Sequence, residues 1–235
     1  ARDPAELGRL AAEVAAHARG SIDHWEILNE PDAEWAFKGE PEDYARMLSA
    51  AYDAIEARVP EAKVLMGGVE QPERREWIER VLATPDADAA RKFDIANVHL
   101  RLRLRDVLGN LPADLRAWRE LLADHGFRGP VWVTEHGYPA DPAFQRDPDY
   151  RGGDAAQAAF LRDSLPLLVD AGAAQVFVTL RDNLFGEYLS EGIVHIDESQ
   201  PHLPVTRRPA FEVVRDLSGA WDAAALLAAA KSWWL

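Results

Sequence analysis

The sequence predicts an α/β fold in which short strands and amphipathic helices alternate along the chain. Three observations support it: apolar runs of strand length, helical stretches with one apolar face between them, and a regular interval from strand to strand. The strands are continuously apolar, as parallel strands are when both faces of the sheet are covered. Such alternation indicates parallel strands joined by helical crossovers.

The first predicted element is a helix over residues 4–19, ended by Gly20. Its expected buried face consists of apolar residues at helical spacing: Leu7, Leu10, Ala11, Val14 and Ala18. Strands are predicted over residues 22–28, 63–69, 93–100, 130–134 and 175–180. Helices are predicted over residues 42–59, 74–83, 114–125, 154–171, 209–217 and 220–231. The helices thus lie between consecutive strands and after the last one.

The interval between strand centres ranges from 31 to 44 residues. A barrel of eight strand–helix units in ~250 residues needs roughly 31 residues per unit, and more with insertions. The sequence therefore predicts a TIM-type (β/α) barrel, as a single domain over residues 1–235. Five strands are found and a closed barrel needs eight, so the barrel is predicted to be partial, without its first three strands. Either about three units lie upstream, or the chain is an open half-barrel whose sheet edges a homo-oligomer covers.

A doubly wound open sheet is the alternative fold. Gly67-Gly68 is the glycine pair that follows a strand, and it lacks the third glycine of a dinucleotide-binding loop. The charge balance, 26 Lys+Arg against 40 Asp+Glu, gives −14, which disfavours nucleic acid and anionic lipid as partners. No apolar run approaches the ~18 residues of a membrane span. The chain has no cysteine, which excludes disulfides and thiolate sites and leaves the compartment open.

Two glutamates stand at the ends of predicted strands. Glu30 follows Ile27-Leu28-Asn29, and Glu135 follows Val131-Trp132-Val133-Thr134, 105 residues later. The carboxyl ends of barrel strands form the mouth where catalytic residues lie. A pair of carboxylates there is the minimum for glycoside hydrolysis, one as acid and the other as nucleophile or base.

The two segments resemble the catalytic motifs of clan A glycoside hydrolases. Asn29-Glu30-Pro31 is similar to the acid/base motif at the end of the clan's fourth strand. Thr134-Glu135-His136-Gly137 is similar to the nucleophile segment after its seventh. The first segment is most similar to the β-xylosidase and α-L-iduronidase family when the residues that follow it are included: Trp35, Phe37, Gly39 and Tyr44. The resemblance implies a retaining double displacement on a β-linked glycoside, with Glu135 as nucleophile and Glu30 as acid/base. It also implies that Asn29 bonds the sugar 2-hydroxyl, and that no cofactor or metal is needed.

Other residues are candidates for contact with an oligosaccharide or glycoside. His99 ends the third strand, where a substrate or Glu135 contact and a structural bond to backbone are both open. Trp35 suits stacking on a sugar face or packing of its loop. Tyr138 is a candidate partner of the nucleophile region or a core residue. Arg181 stands where the clan usually has an aromatic residue, and could meet a carboxylated sugar or pair with Glu135.

The remaining patterns have more ordinary interpretations. Arg101, Arg103 and Arg105 suggest a solvated or ion-paired loop, with an acidic-sugar site as the sharper alternative. His136 is expected to point away from its neighbour Glu135. A metallohydrolase built on His99, His136 and the two glutamates is a third hypothesis, without supporting histidine spacing. The second hypothesis, an alternative to the glycoside hydrolase, is a catalytically impaired carbohydrate-binding or structural barrel fragment.

Overall fold

The computed structural model describes residues 3–70, 75–101, 108–182, 190–197 and 204–218. The chain divides into two compact units. The first comprises Ala1–His99, Asp114–Thr134 and Gly172–Gln175, and the second Leu100–Ala113, Glu135–Ala171 and Val176–Leu235. The predicted helix over residues 220–231 lies outside the described residues. The single domain over residues 1–235 stays a prediction.

The first unit alternates helices and strands in chain order. It contains α1 (Pro4–His17), β1 (His24–Ile27), α2 (Pro41–Arg58), β2 (Lys63–Met66), α3 (Arg75–Leu82), β3 (Ala96–His99), most of α4 (Leu111–Asp124) and most of β4 (Val131–His136). Short 3₁₀ helices occur at Ala89–Arg91 in this unit, and at Leu108–Asn110 and Pro142–Phe144 in the second. The predicted elements are therefore present, with ends shifted by a few residues.

The strands of the first unit run parallel in sequence order. β1 pairs with β2 from His24 opposite Lys63 to Ile27 opposite Met66. Parallel bridges between Leu65 and Ile95 and between Val69 and Val98 continue the order to β3. Ala96 N–H then donates to Pro130 O at 3.0 Å, at the start of β4. All four carboxyl ends consequently point the same way.

Local sequence explains where the first two helices begin. Asp3 caps α1 by accepting from the backbone N–H of Ala5 at 2.9 Å, and Pro4 follows at the first helical position. At α2, Glu40 and Asp43 form a reciprocal capping box around Pro41. The apolar face of α2 supplies much of the core of this unit, together with β2 and α3: Tyr44, Leu48, Ile55, Met66 and Ile78.

The buried face of α1 differs from the predicted one. The buried residues of α1 are small, Gly8, Ala12 and Ala15, whereas Leu10 and Val14 are 61% and 44% exposed. A Cβ on Gly8 would lie 2.6 Å from the carbonyl oxygen of Ala50 in α2. The two helices thus approach closely through their small residues, which a rule based on large apolar side chains cannot anticipate.

The second unit is built on α5 (Asp154–Asp170), most of β5 (Gln175–Val178), β6 (Val194–Ile196), β7 (Val205–Arg207) and α6 (Pro209–Ser218). β6 and β7 form an antiparallel pair that the sequence analysis did not predict. Tyr138 stacks on Phe160 with ring centroids 4.4 Å apart, at the centre of an aromatic core. Thr179 N–H donates to His136 O at 3.4 Å, which joins the end of β5 to the end of β4.

β3, β4 and β5 are neighbours in that order in a three-stranded sheet. Each of the five strands predicted from the sequence is thus present among the described residues. In the part of the chain that the structure describes, no helix is long and apolar enough to span a membrane.

Candidate active site

Glu30 lies just beyond the carboxyl end of β1 in an unusual backbone conformation. Leu28 and Glu30 both have positive φ angles, of 65° and 45°. Residues other than glycine adopt this left-handed region at a cost of roughly 1–2 kcal/mol each. The Glu30 N–H donates to Gly68 O at 3.1 Å, which holds the turn against the segment after β2. Strain of this kind at a strand end motivates a functional hypothesis for Glu30.

The glycine pair after β2 makes room for this turn. A Cβ on Gly67 would lie 2.5 Å from Leu28 O, and a Cβ on Gly68 would collide with the His99 ring. The hydroxyl of Tyr44 donates to Ile27 O at 3.2 Å and accepts from Gly67 N–H at 2.6 Å. Burial raises the pKa of Tyr44, so its hydroxyl keeps its proton. The two glycines therefore serve close packing at a strand end.

Glu30 and His99 form a buried pair. Oε1 of Glu30 and Nδ1 of His99 lie 2.7 Å apart and share one hydrogen bond. His99 ends β3, and its N–H donates to Val69 O at 2.9 Å, so the backbone fixes the ring's position. The sequence analysis left two alternatives open for His99, a contact to substrate or Glu135 and a structural bond to backbone, and did not anticipate Glu30. Within the first unit its partner is the proposed acid/base.

Glu135 is held by an arginine that a second glutamate also contacts. Nη2 of Arg101 donates to Oε2 of Glu135 at 2.8 Å, and Nη1 donates to Oε2 of Glu191. Thr179 Oγ1 donates to the same Glu191 oxygen at 3.1 Å. The side chain of Glu135 is 31% exposed, whereas Glu191 is buried. We call Arg101, Glu135, Thr179 and Glu191 the Arg101 cluster.

The Arg101 cluster agrees with one of the predicted alternatives and adds a residue. Arg101 is ion-paired with two carboxylates, as the ordinary interpretation of this basic stretch allowed. Arg103 and Arg105 lie outside the described residues. Glu191 was missed: no motif surrounds it, and its pairing depends on a segment 90 residues beyond Arg101.

His136 and Tyr138 both face the interior of the second unit. Nδ1 of His136 donates to Leu100 O at 2.7 Å, and Nε2 accepts from Ser164 Oγ at 2.8 Å. Burial lowers the pKa of His136 to about 4, so the ring is neutral and both nitrogens are engaged. His136 therefore points away from the Glu135 carboxylate, as expected, and offers no nitrogen to a metal.

The Tyr138 hydroxyl donates to Tyr150 O at 2.8 Å and accepts from Asp147 N–H at 3.2 Å. The side chain is buried beneath α5, where its ring stacks on Phe160. This placement favours the structural alternative for Tyr138 over a substrate contact.

The other candidate substrate contacts are accessible. Asn29 is exposed beside Glu30, and Trp35 is 70% exposed in the loop that follows. Arg181 is half-buried and forms a parallel bridge with Val194. A cavity of 840 Å³ borders the segment after Glu30 in the first unit. Its lining includes Pro31, Asp32, Phe37, Lys38, Trp77 and Arg80.

Solved structures of other proteins match this fold, whereas comparisons of the sequence find no relative. No protein-family model and no curated protein matches the sequence. A family 39 glycoside hydrolase from the gut symbiont Bacteroides cellulosilyticus WH2 matches with TM-score 0.62 at 17% identity, over 90% of this chain and 44% of that chain. A GH39 β-xylosidase from Caulobacter crescentus matches with TM-score 0.59 at 17% identity, over 92% and 46%. A glucosidase from Croceicoccus marinus matches with TM-score 0.59 at 19% identity, over 75% and 38%.

At these identities the likeness shows the fold. The predicted fold class is confirmed: the chain has the TIM-type (β/α)-barrel fold of its structural neighbours, which are glycoside hydrolases. It spans less than half the length of the three proteins compared.

Proposed function

We propose that this chain bears the two catalytic glutamates of a retaining glycoside hydrolase, with Glu135 as nucleophile and Glu30 as acid/base. The observation that supports it best is the different partner of each glutamate. Glu135 contacts the guanidinium of Arg101, a charged donor that orients its carboxyl group. Glu30 is buried beside an imidazole, with which it shares a hydrogen bond. Two carboxyl groups in different environments suit the division between nucleophile and acid.

In the proposed first step, an oxygen of Glu135 attacks the anomeric carbon, and the bond from that carbon to the leaving oxygen breaks. Glu30 gives its proton to the leaving oxygen, and the sugar becomes an ester of Glu135. In the second step, Glu30 takes a proton from water, and the water oxygen displaces Glu135 from the anomeric carbon. A retaining mechanism requires the two carboxyl groups to lie about 5–5.5 Å apart.

His99 supports the change in the role of Glu30. Because Nδ1 shares a hydrogen bond with Oε1 of Glu30, the imidazole fixes the carboxyl group in one orientation. Orientation matters because Glu30 must give and later recover a proton along nearly the same line. The strained φ of Glu30 serves the same end by holding the backbone at the strand end.

Substrate contacts remain proposals by residue type. Asn29 is proposed to bond the 2-hydroxyl of the sugar, a contact that strengthens in the transition state. The exposed ring of Trp35 and the half-buried Phe37 suit stacking on sugar faces. Arg181 is proposed as a contact to a carboxylated or otherwise polar sugar. A β-linked glycoside, as in the β-xylosidase and α-L-iduronidase family, is the proposed substrate class.

Covalent trapping tests the proposal directly. The chain is incubated with a panel of 2-fluoro-2-deoxy aryl glycosides, and the intact mass and a peptide map are recorded. We expect one mass increment on Glu135 with one sugar of the panel, and none in Glu135→Gln. Labelling of a different carboxylate would contradict the assigned roles, and turnover without any adduct would contradict the retaining mechanism.

A second candidate follows from Arg181, which stands where the resemblance to clan A implies an aromatic residue. The chain would then be a carbohydrate-binding or structural barrel that lacks turnover. Titration calorimetry with the same sugars distinguishes the two. Binding with no adduct and no aryl glycoside hydrolysis supports the second candidate.

A further inference from the structure

Tyr44 is a fully buried residue of α2 that the proposed mechanism does not use. Its ring lies against Trp77 of α3, with ring centroids 5.5 Å apart, and meets the edge of Phe37 at 6.3 Å. Burial between two aromatic side chains fixes the direction of the ring and therefore the place of the hydroxyl at its tip. That hydroxyl lies between the ends of β1 and β2.

The hydroxyl takes the place of a backbone bond in the ladder between β1 and β2. Lys63 N–H donates to Asp23 O at 2.7 Å, and such bonds recur at every second residue along a parallel pair of strands. Four residues further along each strand, Gly67 N–H would donate to Ile27 O. Instead, Gly67 N–H donates to the Tyr44 hydroxyl at 2.6 Å, and the hydroxyl donates to Ile27 O at 3.2 Å. The side chain of Tyr44 is thus inserted between the two strands.

The insertion coincides with the turn at the end of β1. Leu28 has a positive φ of 65°, and Glu30 has one of 45°. A continued ladder would bond Asn29 N–H to Gly67 O, but the bond that forms joins Glu30 N–H to Gly68 O at 3.1 Å. Beyond the hydroxyl, the contact has therefore moved forward by one residue on both segments.

The segment after β2 holds His99 as well as Glu30. His99 N–H donates to Val69 O at 2.9 Å, and a Cβ on Gly68 would collide with the His99 ring. Gly68 thus bonds the backbone of Glu30 and packs on the imidazole whose Nδ1 lies 2.7 Å from Oε1 of Glu30. A shift of residues 67–69 would therefore change the orientation of the Glu30 carboxyl group.

We propose that Tyr44 is a positioning residue for the acid/base: its hydroxyl, inserted between the ends of β1 and β2, sets the turn that directs the Glu30 carboxyl group toward the leaving oxygen. This role rests on the proposed function. Proton transfer requires the donor to lie within hydrogen-bond distance and in the correct orientation. Without the hydroxyl, Gly67 N–H is able to bond Ile27 O directly, as in the rest of the ladder, and Glu30 moves with the turn.

The test compares the full chain with Tyr44→Phe, which keeps the ring and removes the hydroxyl. The measured quantity is the ratio of kcat/KM for a dinitrophenyl glycoside to kcat/KM for a methyl glycoside of the same sugar, because only the methyl leaving group needs the acid. We expect this ratio to rise roughly 10-fold or more, since a displacement of about 1 Å is enough to impair a catalytic group. Labelling of Glu135 by the dinitrophenyl 2-fluoro glycoside should stay within about 3-fold of wild type, because that step needs no proton.

Two other tyrosines provide matched controls. Tyr138→Phe removes a hydroxyl that is also bonded to a backbone carbonyl and a backbone N–H. It should lower stability and leave the ratio unchanged, because a general loss of stability reduces both rates together. Tyr52→Phe changes a half-buried residue on the same helix as Tyr44 and should match wild type in stability and in the ratio.

Should Tyr44→Phe fail to fold, p-aminophenylalanine at position 44 serves instead. Its amino group still donates to Ile27 O but accepts poorly from Gly67 N–H, so the ratio should rise above the wild-type value.

The outcomes separate this role from the proposed function. A ratio unchanged in the folded variant, with wild type labelled on Glu135, would overturn the role of Tyr44 alone. A wild type that acquires no label and turns over no glycoside would overturn the proposed function and this role with it.

Discussion

At the scale of single residues, Glu30 has the clearest expected phenotype. Glu30→Ala removes the proton donor, so substrates with poor leaving groups suffer most. We expect kcat/KM for a methyl glycoside to fall by about 10²–10⁴-fold, while a dinitrophenyl glycoside, which leaves without protonation, loses far less in the first step. The measurement is a leaving-group series on wild type and variant.

The control for this series is Glu56→Ala, an exposed glutamate on α2, which should leave all substrates unchanged. Equal losses across the leaving-group series in Glu30→Ala would argue against the acid/base role. Added azide should restore turnover of the dinitrophenyl glycoside in Glu30→Ala, because a small anion replaces the activated water.

His136 gives a prediction that does not depend on activity. Its pKa is about 4 in the folded chain and about 6.5 when unfolded, so the unfolded state binds more protons between these values. The contribution of neutral His136 to the free energy of unfolding is complete above pH 6.5 and is lost as the pH falls toward 4. The loss reaches about 3 kcal/mol. Urea unfolding at pH 7 and pH 4.5 should show this loss for wild type.

In His136→Gln, the part of the pH dependence that comes from this ring should disappear, leaving a shallower curve than wild type. His17→Gln, at an exposed position of α1, should follow the wild-type curve. Parallel curves for wild type and His136→Gln would show that burial of this imidazole does not couple folding to pH.

The sequence was enough to predict the two glutamates at the strand ends, but not all of the side chains that surround them. Glu30 and Glu135 each sit in a local motif that a single segment reveals. The pairing of His99 with Glu30 joins residues 69 positions apart, and that of Glu191 with Arg101 joins residues 90 apart. Contacts of this kind depend on the geometry of strand ends, which periodicity does not specify.

At the scale of elements, the crossing of α1 and α2 depends on a helical glycine. Glycine inside a helix usually costs about 1 kcal/mol relative to alanine, yet Gly8→Ala places a methyl group 2.6 Å from Ala50 O. Overpacking costs about 1–3 kcal/mol and the propensity gain of alanine offsets about 1 kcal/mol of it, so we expect a net destabilisation of roughly 0–2 kcal/mol. Chemical unfolding followed by circular dichroism measures it.

Leu10→Ala on the same helix is the comparison, since Leu10 is 61% exposed and its truncation should change stability by about 0.5 kcal/mol or less. A Gly8→Ala variant more stable than wild type would show that α1 moves away from α2 without loss.

Element prediction succeeded where patterns were long and failed where they were short. The long amphipathic run of residues 42–59 predicted the helix that the structure shows as α2. β6 and β7 have three residues each, too few for alternation to stand out, and Arg207 and His195 dilute their apolar character. The predicted buried face of α1 was wrong because the close packing of α1 against α2 favours the smallest side chains at their contact.

At the scale of the whole molecule, charge and exposed apolar surface act against each other. The chain carries a net charge of −14, which repels copies of itself. Yet several large apolar side chains are exposed on helices and strands: Leu10, Val14, Leu167, Val169, Phe177 and Leu217. β5 is a strand whose residues are all exposed or half-buried, unlike the fully buried β3.

We therefore expect self-association that strengthens with salt. Raising the ionic strength from 0.01 M to 1 M shortens the Debye length from about 30 Å to about 3 Å and removes the repulsion, while apolar burial is retained. Light scattering coupled to size exclusion should report a growing average mass across this range. A purely electrostatic association would weaken instead.

Two variants at constant net charge identify the surface responsible. Phe177→Gln should lower the average mass at 1 M salt if copies meet at β5, and the double change Leu10→Gln with Val14→Gln should do so if they meet at α1. Trp35→Gln is the matched control, because Trp35 is exposed in a loop. If Trp35→Gln lowers the mass as much as the others, the association is unspecific. A monomer at every ionic strength would mean that these surfaces need no partner, and that the barrel fold of this chain tolerates an exposed β5.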